Sequence, residues 1–162
     1  MPRSVGQPAF GPHTSWASPL CQLRDTELLL LWSMRRWAVA RTRGEPITEV
    51  LAQPFLLARL PDAPTWVDEF LVKIAVAARN PLVFRHLHCH AVGRDENLLL
   101  GVLRLLQRRR RGVALRNLGE IVRRGGARSI CEVGEQLVDR LARAGLVLER
   151  RAALTLVARG GT

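Results

Sequence analysis

The chain is poor in aromatic residues, in lysine and in cysteine. Only 5% of its 162 residues are aromatic, whereas 48% are apolar, enough for the core of one ordinary domain. The three cysteines are widely spaced and form no CxxC pair, so we expect no disulfide framework. A single lysine stands beside 24 arginines. GC-rich coding sequences produce the same bias, so the preference for arginine does not by itself indicate phosphate binding.

Long apolar runs and catalytic motifs are also lacking. The longest apolar run in the N-terminal part, residues 28–32, is far shorter than the roughly 20 residues of a membrane-spanning helix. Residues 1–19 contain four prolines and no continuous apolar segment of the kind that signal peptides have. The sequence has no P-loop, GxGxxG, HExxH or nucleophile-elbow motif. We therefore predict a cytoplasmic protein that has no membrane segment and is not an enzyme.

What the chain does have is positive charge, concentrated toward its C-terminal end. The formal net charge is +11. Residues 103–162 carry 14 arginines and five acidic residues, a net charge of +9, whereas residues 1–102 have a net charge of only +2. This asymmetry indicates an anionic partner for the C-terminal part.

Apolar residues at helical spacing predict helices through the N-terminal part. Asp25 has the residue type of an N-cap, for a helix that extends to about Arg41. Residues 47–60 predict either one helix or two short pieces, because Pro54 lacks the N–H that a continuous helix uses. Thr65 and Asp68 have the spacing of a capping box for the next helix.

A second leucine-rich helix is predicted from Asp95, as its N-cap, to about Gln107. Residues 24–30 and 94–100 echo each other at an offset of 70 residues. The echo has two interpretations, an internal duplication or two instances of a common capped helix.

The order of elements after residue 95 has a known counterpart. We predict a shorter helix at 113–124, a glycine turn, a third helix at 129–144 closed by Gly145, and strands at 146–148 and 154–157. This order, together with LVDRLARAGLVL at 137–148 and ALTL at 153–156, resembles the winged helix-turn-helix superfamily over roughly residues 95–158. The resemblance implies a third helix that opens into the major groove and a wing whose tip touches the DNA backbone.

These observations predict an all-α fold in three parts. Residues 1–22 are a flexible arm containing proline and glycine, and residues 23–92 form a helical bundle. The bundle packs on a basic, winged-helix-like part at residues 93–162, which includes a small β-hairpin. Leu137 and Leu141 are predicted core residues of the third helix.

Consecutive and clustered basic side chains mark the candidate nucleic-acid surface. Four arginines in succession exceed what helix capping requires, and together with their neighbours they are enough to follow a phosphate backbone. All four tryptophans and all four phenylalanines precede residue 85, which disfavours a single-strand stacking platform. Glu132, Glu135 and Asp139 on the third helix would repel phosphates. The predicted contact residues are Arg108, Arg109, Arg110, Arg111, Arg116, Arg123, Arg124, Arg128, Ser129, Arg150 and Arg151.

A second cluster contains ligands that zinc prefers. His86, His88, Cys89 and His90 lie within five residues, and in an extended segment the three histidines share one side. The cluster lacks the paired cysteines or HxxxH helix of most structural zinc sites. It therefore has two interpretations, a zinc site or a polar connector before a helix, and no other cofactor is predicted.

We predict a small DNA-binding transcription regulator of bacterial type. The basic C-terminal part would bind double-stranded DNA, and the N-terminal helices would serve in homodimerisation or partner docking. The alternative is a non-enzymatic helical adaptor or assembly subunit whose basic face meets an acidic protein.

Overall fold

Six α-helices make up most of the chain in a computed structural model that describes residues 18–149. Two strands of two residues each, β1 (Ser18–Pro19) and β2 (Ala91–Val92), pair antiparallel, and a short 3₁₀ turn, Leu20–Gln22, follows β1. The predicted all-α class is therefore confirmed. No helix of the described residues has the length and apolar character to cross a membrane. The helices are α1 (Asp25–Arg43), α2 (Ile47–Leu57), α3 (Ala63–Ala77), α4 (Arg94–Gln107), α5 (Arg111–Gly119) and α6 (Gly126–Arg143).

The predicted N-caps were misplaced by one or two residues. The N-cap of α1 is Arg24, so Asp25 lies in the first turn, where its carboxylate favours the positive end of the helix dipole. The N-cap of α4 is Gly93, and Asp95 accepts a hydrogen bond from the backbone N–H of Val83 instead. The acidic residue was the correct signal for a helix start in both cases, but the cap position was wrong.

Helix α2 has one of its two predicted forms, whereas the start of α3 differs from the prediction. α2 is one helix with Pro54 inside it, only three residues before its end, where the lost hydrogen bond breaks little of the helix. α3 begins at Ala63 with Pro64 in its first turn, and Asp68 is not part of a capping box. Its carboxylate accepts a hydrogen bond from the indole N–H of Trp37 on α1, a tertiary contact that outweighs the local one.

Helix α6 is the centre of the packing. Its apolar stripe is buried, including the predicted core residues Leu137 and Leu141. Gly134 permits close approach: a Cβ there would lie 2.6 Å from a methyl carbon of Leu106 on α4 and 3.2 Å from the ring of Phe70 on α3. Residues on both sides of position 93 therefore share one apolar core.

Helices α1 and α4 are antiparallel and joined by two buried ion pairs. Arg35 of α1 binds Glu96 of α4 through two hydrogen bonds of 2.8 and 2.9 Å, and these side chains are 3% and 0% exposed. Arg104 of α4 binds Glu27 of α1 in the opposite direction. Each glutamate is the third residue of its helix, and each arginine follows the glutamate of its own helix by eight residues.

This reciprocal arrangement gives the sequence echo a structural counterpart. Glu27 and Glu96 each also accept a hydrogen bond from the N–H of their own N-cap residue, Arg24 and Gly93. The matching positions are 69 residues apart, one fewer than the offset of the leucines. The echo thus coincides with two helices that hold each other through the same charged groups.

The predicted β-hairpin is not confirmed. Residues 146–148 form no strand, and the predicted partner strand at 154–157 lies outside the described residues. The side-chain amide of Gln107 donates to the carbonyl of Leu146 (3.0 Å) and accepts from the N–H of Leu148 (2.7 Å). Among the described residues, the Gln107 side chain thus bonds a carbonyl and an N–H group of the kind that neighbouring strands pair. Gly145 does close α6, with the predicted left-handed backbone at φ +76°.

Candidate nucleic-acid interface

The predicted contact residues are placed by α5 and the segments at its two ends. Arg108, Arg109 and Arg110 form the turn before α5, while Arg111 and Arg116 lie on it. Arg123 and Arg124 lie in the loop between α5 and α6, because α5 ends at Gly119 rather than near residue 124 as predicted. Arg128 and Ser129 are in the first turn of α6. Arg150 and Arg151 lie outside the described residues.

The turn between α4 and α5 is a Schellman motif built with arginine. The N–H of Arg110 donates to the carbonyl of Leu105, and the N–H of Arg109 donates to the carbonyl of Leu106. Arg109 has φ +60°, the left-handed region that glycine occupies most easily. The motif fixes the backbone from which these arginine side chains extend.

Two of the four consecutive arginines are bound to carboxylates of α6. Arg109 pairs with Asp139 at 3.0 Å. Arg111 pairs with Glu135 at 2.5 Å and lies 3.7 Å from Glu132. Residues 132, 135 and 139 form one stripe of α6, since they are three and four residues apart. The acidic side chains expected to repel phosphate are therefore already paired with arginine.

The other exposed arginines of this region have no such partner. Their side chains form no ion pair or hydrogen bond with any residue of the described range. All 14 Asp and Glu residues of the chain fall within that range, so no acidic side chain elsewhere in the sequence is left to pair with them. The predicted contact residues that are exposed and unpaired, named here the arginine surface, are Arg108, Arg110, Arg116, Arg123, Arg124 and Arg128.

The arginine surface follows α5. This helix buries Ala114 and Leu118 in the core and leaves Arg116, between them in sequence, exposed. Its nine residues are about 13 Å long, the rise of about four base pairs of duplex DNA. Arg108 and Arg110 precede this helix, and Arg123 and Arg124 follow its last residue by four and five positions.

The loop between α5 and α6 is fixed to the end of α3. The N–H of Arg79 donates to the carbonyl of Ile121, and the N–H of Arg123 donates to the carbonyl of Ala77, both at 2.8 Å. The guanidinium of Arg79 adds hydrogen bonds to the carbonyls of Val122 (2.9 Å) and Gly119 (3.0 Å). Arg123 and Arg124 are therefore presented by a tethered backbone. Arg79 was not among the residues predicted for this site. Its only signal in the sequence was its position directly after a predicted helix.

The start of α6 offers few groups for reading bases. The hydroxyl of Ser129 donates to the carbonyl of Gly126 at 3.2 Å, so its hydrogen is already used within the helix. Arg128 is exposed and belongs to the arginine surface, but Glu132, one turn further on, is also exposed. Arg128 is the better candidate of the two predicted residues for a DNA contact.

The buried side of α6 carries a thiol beneath the ion pairs. Burial raises the pKa of the Cys131 thiol from its ordinary value of 9.0 to about 11. The positive charge of Arg111 lowers this pKa, whereas the charges of Glu135 and Glu132 raise it. The thiol stays protonated near neutral pH and is a poor nucleophile or metal ligand there.

The histidine and cysteine cluster forms a turn between α3 and α4. Cys89 is buried, whereas His86, His88 and His90 are exposed. The carbonyl of Cys89 accepts from Arg35, and that of His90 accepts from the N–H of Leu20. No group of three His, Cys, Asp or Glu residues within positions 18–149 has an arrangement that could hold a metal ion. Zinc binding stays a prediction. The hydrogen bonds accepted by the carbonyls of Cys89 and His90 support the interpretation of this segment as a connector.

A cleft of about 440 Å³ lies beside this connector, between the start of α4 and the end of α5. It is lined by groups of both signs, including Arg85, Arg94, Asp95 and Glu120. The Asp95 carboxylate is bound to a backbone N–H and is not a free base. The arginine surface, with one sign of charge, is the better candidate for a binding site.

Comparison with known proteins gives no further guide. No protein-family model, no curated protein and no solved structure matches the chain.

Proposed function

We propose that this protein binds duplex DNA through the arginine surface, as a small DNA-binding regulator. The observation that carries the proposal is that six exposed arginines around α5 have no carboxylate partner, although ion pairs occupy acidic residues nearby. Unpaired arginines on a surface are neutralised by mobile counterions. Binding of a phosphate backbone releases these ions and is favourable at low salt.

Double-stranded DNA fits this surface better than single-stranded nucleic acid. The segment that carries the arginine surface, residues 108–128, contains no tryptophan, phenylalanine or tyrosine on which bases could stack. Arginine donates hydrogen bonds to phosphate oxygens from the N–H groups of its planar guanidinium and needs no access to the bases. The positions of the arginines at both ends of α5 and along it favour a ligand with several regularly spaced phosphates.

Backbone contacts are expected to outweigh base contacts. The exposed part of α6 presents Glu132 near its start, and the hydroxyl of Ser129 is bonded within the helix. Phosphate contacts position a protein on DNA without reading its sequence. We therefore expect related affinities for duplexes of unrelated sequence.

Fluorescence anisotropy with a labelled duplex, over a series of salt concentrations, tests the proposal. Replacing Arg123 and Arg124 by glutamine is expected to weaken binding to every sequence and to lower the slope of log affinity against log salt by about two units, since each lost phosphate contact removes about one. The control replaces Arg41 and Arg43 by glutamine. These are two exposed arginines of α1 that already have the carboxylates of Asp68 and Glu45 as partners, so the slope is expected to change little.

The alternative, an adaptor for an acidic protein, has one observation in its favour. Leu56 and Leu57, at the end of α2, are 58% and 81% exposed, and exposed apolar side chains are common at protein contacts. Absence of duplex binding by the unaltered protein at low salt would contradict the DNA proposal and favour the adaptor.

A further inference from the structure

The four consecutive arginines of the α4–α5 turn alternate in their pairing. Arg108 and Arg110 are unpaired, whereas Arg109 and Arg111 are bound by the carboxylate stripe of α6. We use the name carboxylate stripe for Glu132, Glu135 and Asp139. Half of the most basic segment of the chain is thus neutralised within the protein itself.

We infer that the carboxylate stripe competes with DNA phosphate for Arg109 and Arg111, and so limits the affinity of the arginine surface. This inference rests on the proposed DNA-binding function. In the free protein the two arginines are held by α6. A phosphate that approaches them meets a guanidinium whose charge is already partly neutralised, and it must displace the carboxylate, share the guanidinium with it, or be bound by the unpaired neighbours.

The geometry makes such an exchange accessible. The side chain of Arg109 is 72% exposed, and that of its partner Asp139 is 27% exposed. A ligand can reach the guanidinium without opening the core, and ion pairs at exposed sites contribute little to folding. Phosphate and carboxylate both accept from the in-plane N–H donors of a guanidinium, so a donor held by the carboxylate is not available to phosphate.

The backbone of the carboxylate stripe is held in place by the packing of α6. α6 is held by α3 and α4 on its buried side, with Gly134 against Leu106 and Phe70. The Schellman turn holds the backbone of Arg109 and Arg110. The Arg109–Asp139 pair therefore forms without any movement of the backbone. As a result, the effective concentration of the Asp139 carboxylate at the Arg109 guanidinium is constant.

The test is Asp139→Asn, which removes the charge and keeps the shape. Affinity for a labelled duplex is expected to rise several-fold at low salt, and the salt slope to steepen by about one unit, because Arg109 gains a phosphate contact. The matched control is Asp62→Asn. It removes the same charge and releases Arg140, an arginine of α6 that is bound to Asp62 at 2.6 Å and stacks over Trp66. This control is expected to leave the slope unchanged.

A double variant identifies the arginine responsible. Adding Arg109→Gly to Asp139→Asn is expected to remove the gain, and glycine suits the left-handed backbone at position 109. Arg109→Gly alone is expected to weaken binding much less than Arg110→Gln does. Should Asp139→Asn fail to fold, as circular dichroism would reveal, replacing both Glu132 and Glu135 by Gln releases Arg111 and has the same expected result.

Two negative results have different meanings. If the unaltered protein binds the duplex but Asp139→Asn behaves like Asp62→Asn, the competition is wrong and the DNA-binding function stands. If the unaltered protein shows no salt-dependent binding to the duplex, the function itself is wrong.

Discussion

The same residue types form two different kinds of ion pair in this protein. Between α1 and α4, the Arg35–Glu96 pair is buried and both carboxylate oxygens of the glutamate are bonded: they also accept from the N–H groups of Arg85 and Gly93. Between the α4–α5 turn and α6, the Arg109–Asp139 pair is exposed on its arginine side. The interior pair holds two helices together, whereas the surface pair lies where another anion can replace one partner.

Burial is what separates the two kinds. A charge removed from water has no alternative partner, so loss of one member of the pair leaves the other uncompensated. An exposed charge exchanges its partner for water and ions at little cost. Buried pairs should therefore stabilise the fold much more than the surface pairs do, and four changes test this difference.

The largest expected effect comes from Glu96→Gln. It leaves the guanidinium of Arg35 buried without a counter-charge, so we expect a loss of about 3–5 kcal/mol in the free energy of unfolding, measured by urea denaturation. The control Glu120→Gln removes the same charge from an exposed residue and should change that free energy by about 0.5 kcal/mol or less. Equal effects of the two variants would refute the structural role of the buried pair.

Glu27→Gln should have a smaller effect of the same sign. Glu27 is fully buried, but its partner Arg104 is 16% exposed and retains some access to water after the change. We expect a loss of about 2 kcal/mol, the scale of hydrogen bonds to charged groups, in the same urea measurement. A loss larger than that of Glu96→Gln would reverse the order that burial predicts.

The pH dependence of stability tests whether burial raises the pKa of the Cys131 thiol, which lies on the buried side of α6. Because its pKa is raised in the folded state, its contribution to stability is complete below the unfolded value of about 9 and is lost as pH rises through about 11. The difference in unfolding free energy between the unaltered protein and Cys131→Ala should therefore shrink across this window, by an amount on the order of 2 kcal/mol. A difference in unfolding free energy that does not change with pH would mean that burial does not raise the pKa of this thiol.

The smallest effect on stability is expected at the surface pair itself. Arg109→Gly loses one exposed ion pair but relieves a left-handed backbone, so the free energy of unfolding should change by about 1 kcal/mol or less. Thermal unfolding measures this change. A loss comparable to that of Glu27→Gln would show that the surface pairs also hold the fold together.

Much of the secondary structure could be predicted from local patterns. The apolar stripe of α6 and the left-handed Gly145 at its end follow from helical spacing and from glycine chemistry, and both predictions are confirmed. The errors lie where a tertiary partner overrides a local one. Asp68 binds Trp37 instead of capping α3, and Asp95 binds Val83 instead of capping α4. The predicted partner strand of residues 146–148, at 154–157, lies outside the described residues, so the hairpin stays a prediction.

The candidate site was predicted only as a set of charges. The sequence identified the arginines of the C-terminal part and noted the acidic residues on α6 as an obstacle. It did not separate Arg108 and Arg110 from Arg109 and Arg111, since all four are equivalent in a list of basic residues. Arg79, whose guanidinium holds the α5–α6 loop, was missed because its partners are backbone carbonyls about 40 residues away.

The sequence by itself determined the all-α class, the apolar faces of the helices and the concentration of positive charge after residue 102, because these depend on residue type and on spacing along one chain. Only the tertiary structure decided which charges are neutralised. Ion pairing requires atoms a few ångströms apart, and residues as distant in sequence as Arg35 and Glu96 meet only when their helices pack. The arginines left unpaired by that packing are the ones available to a partner.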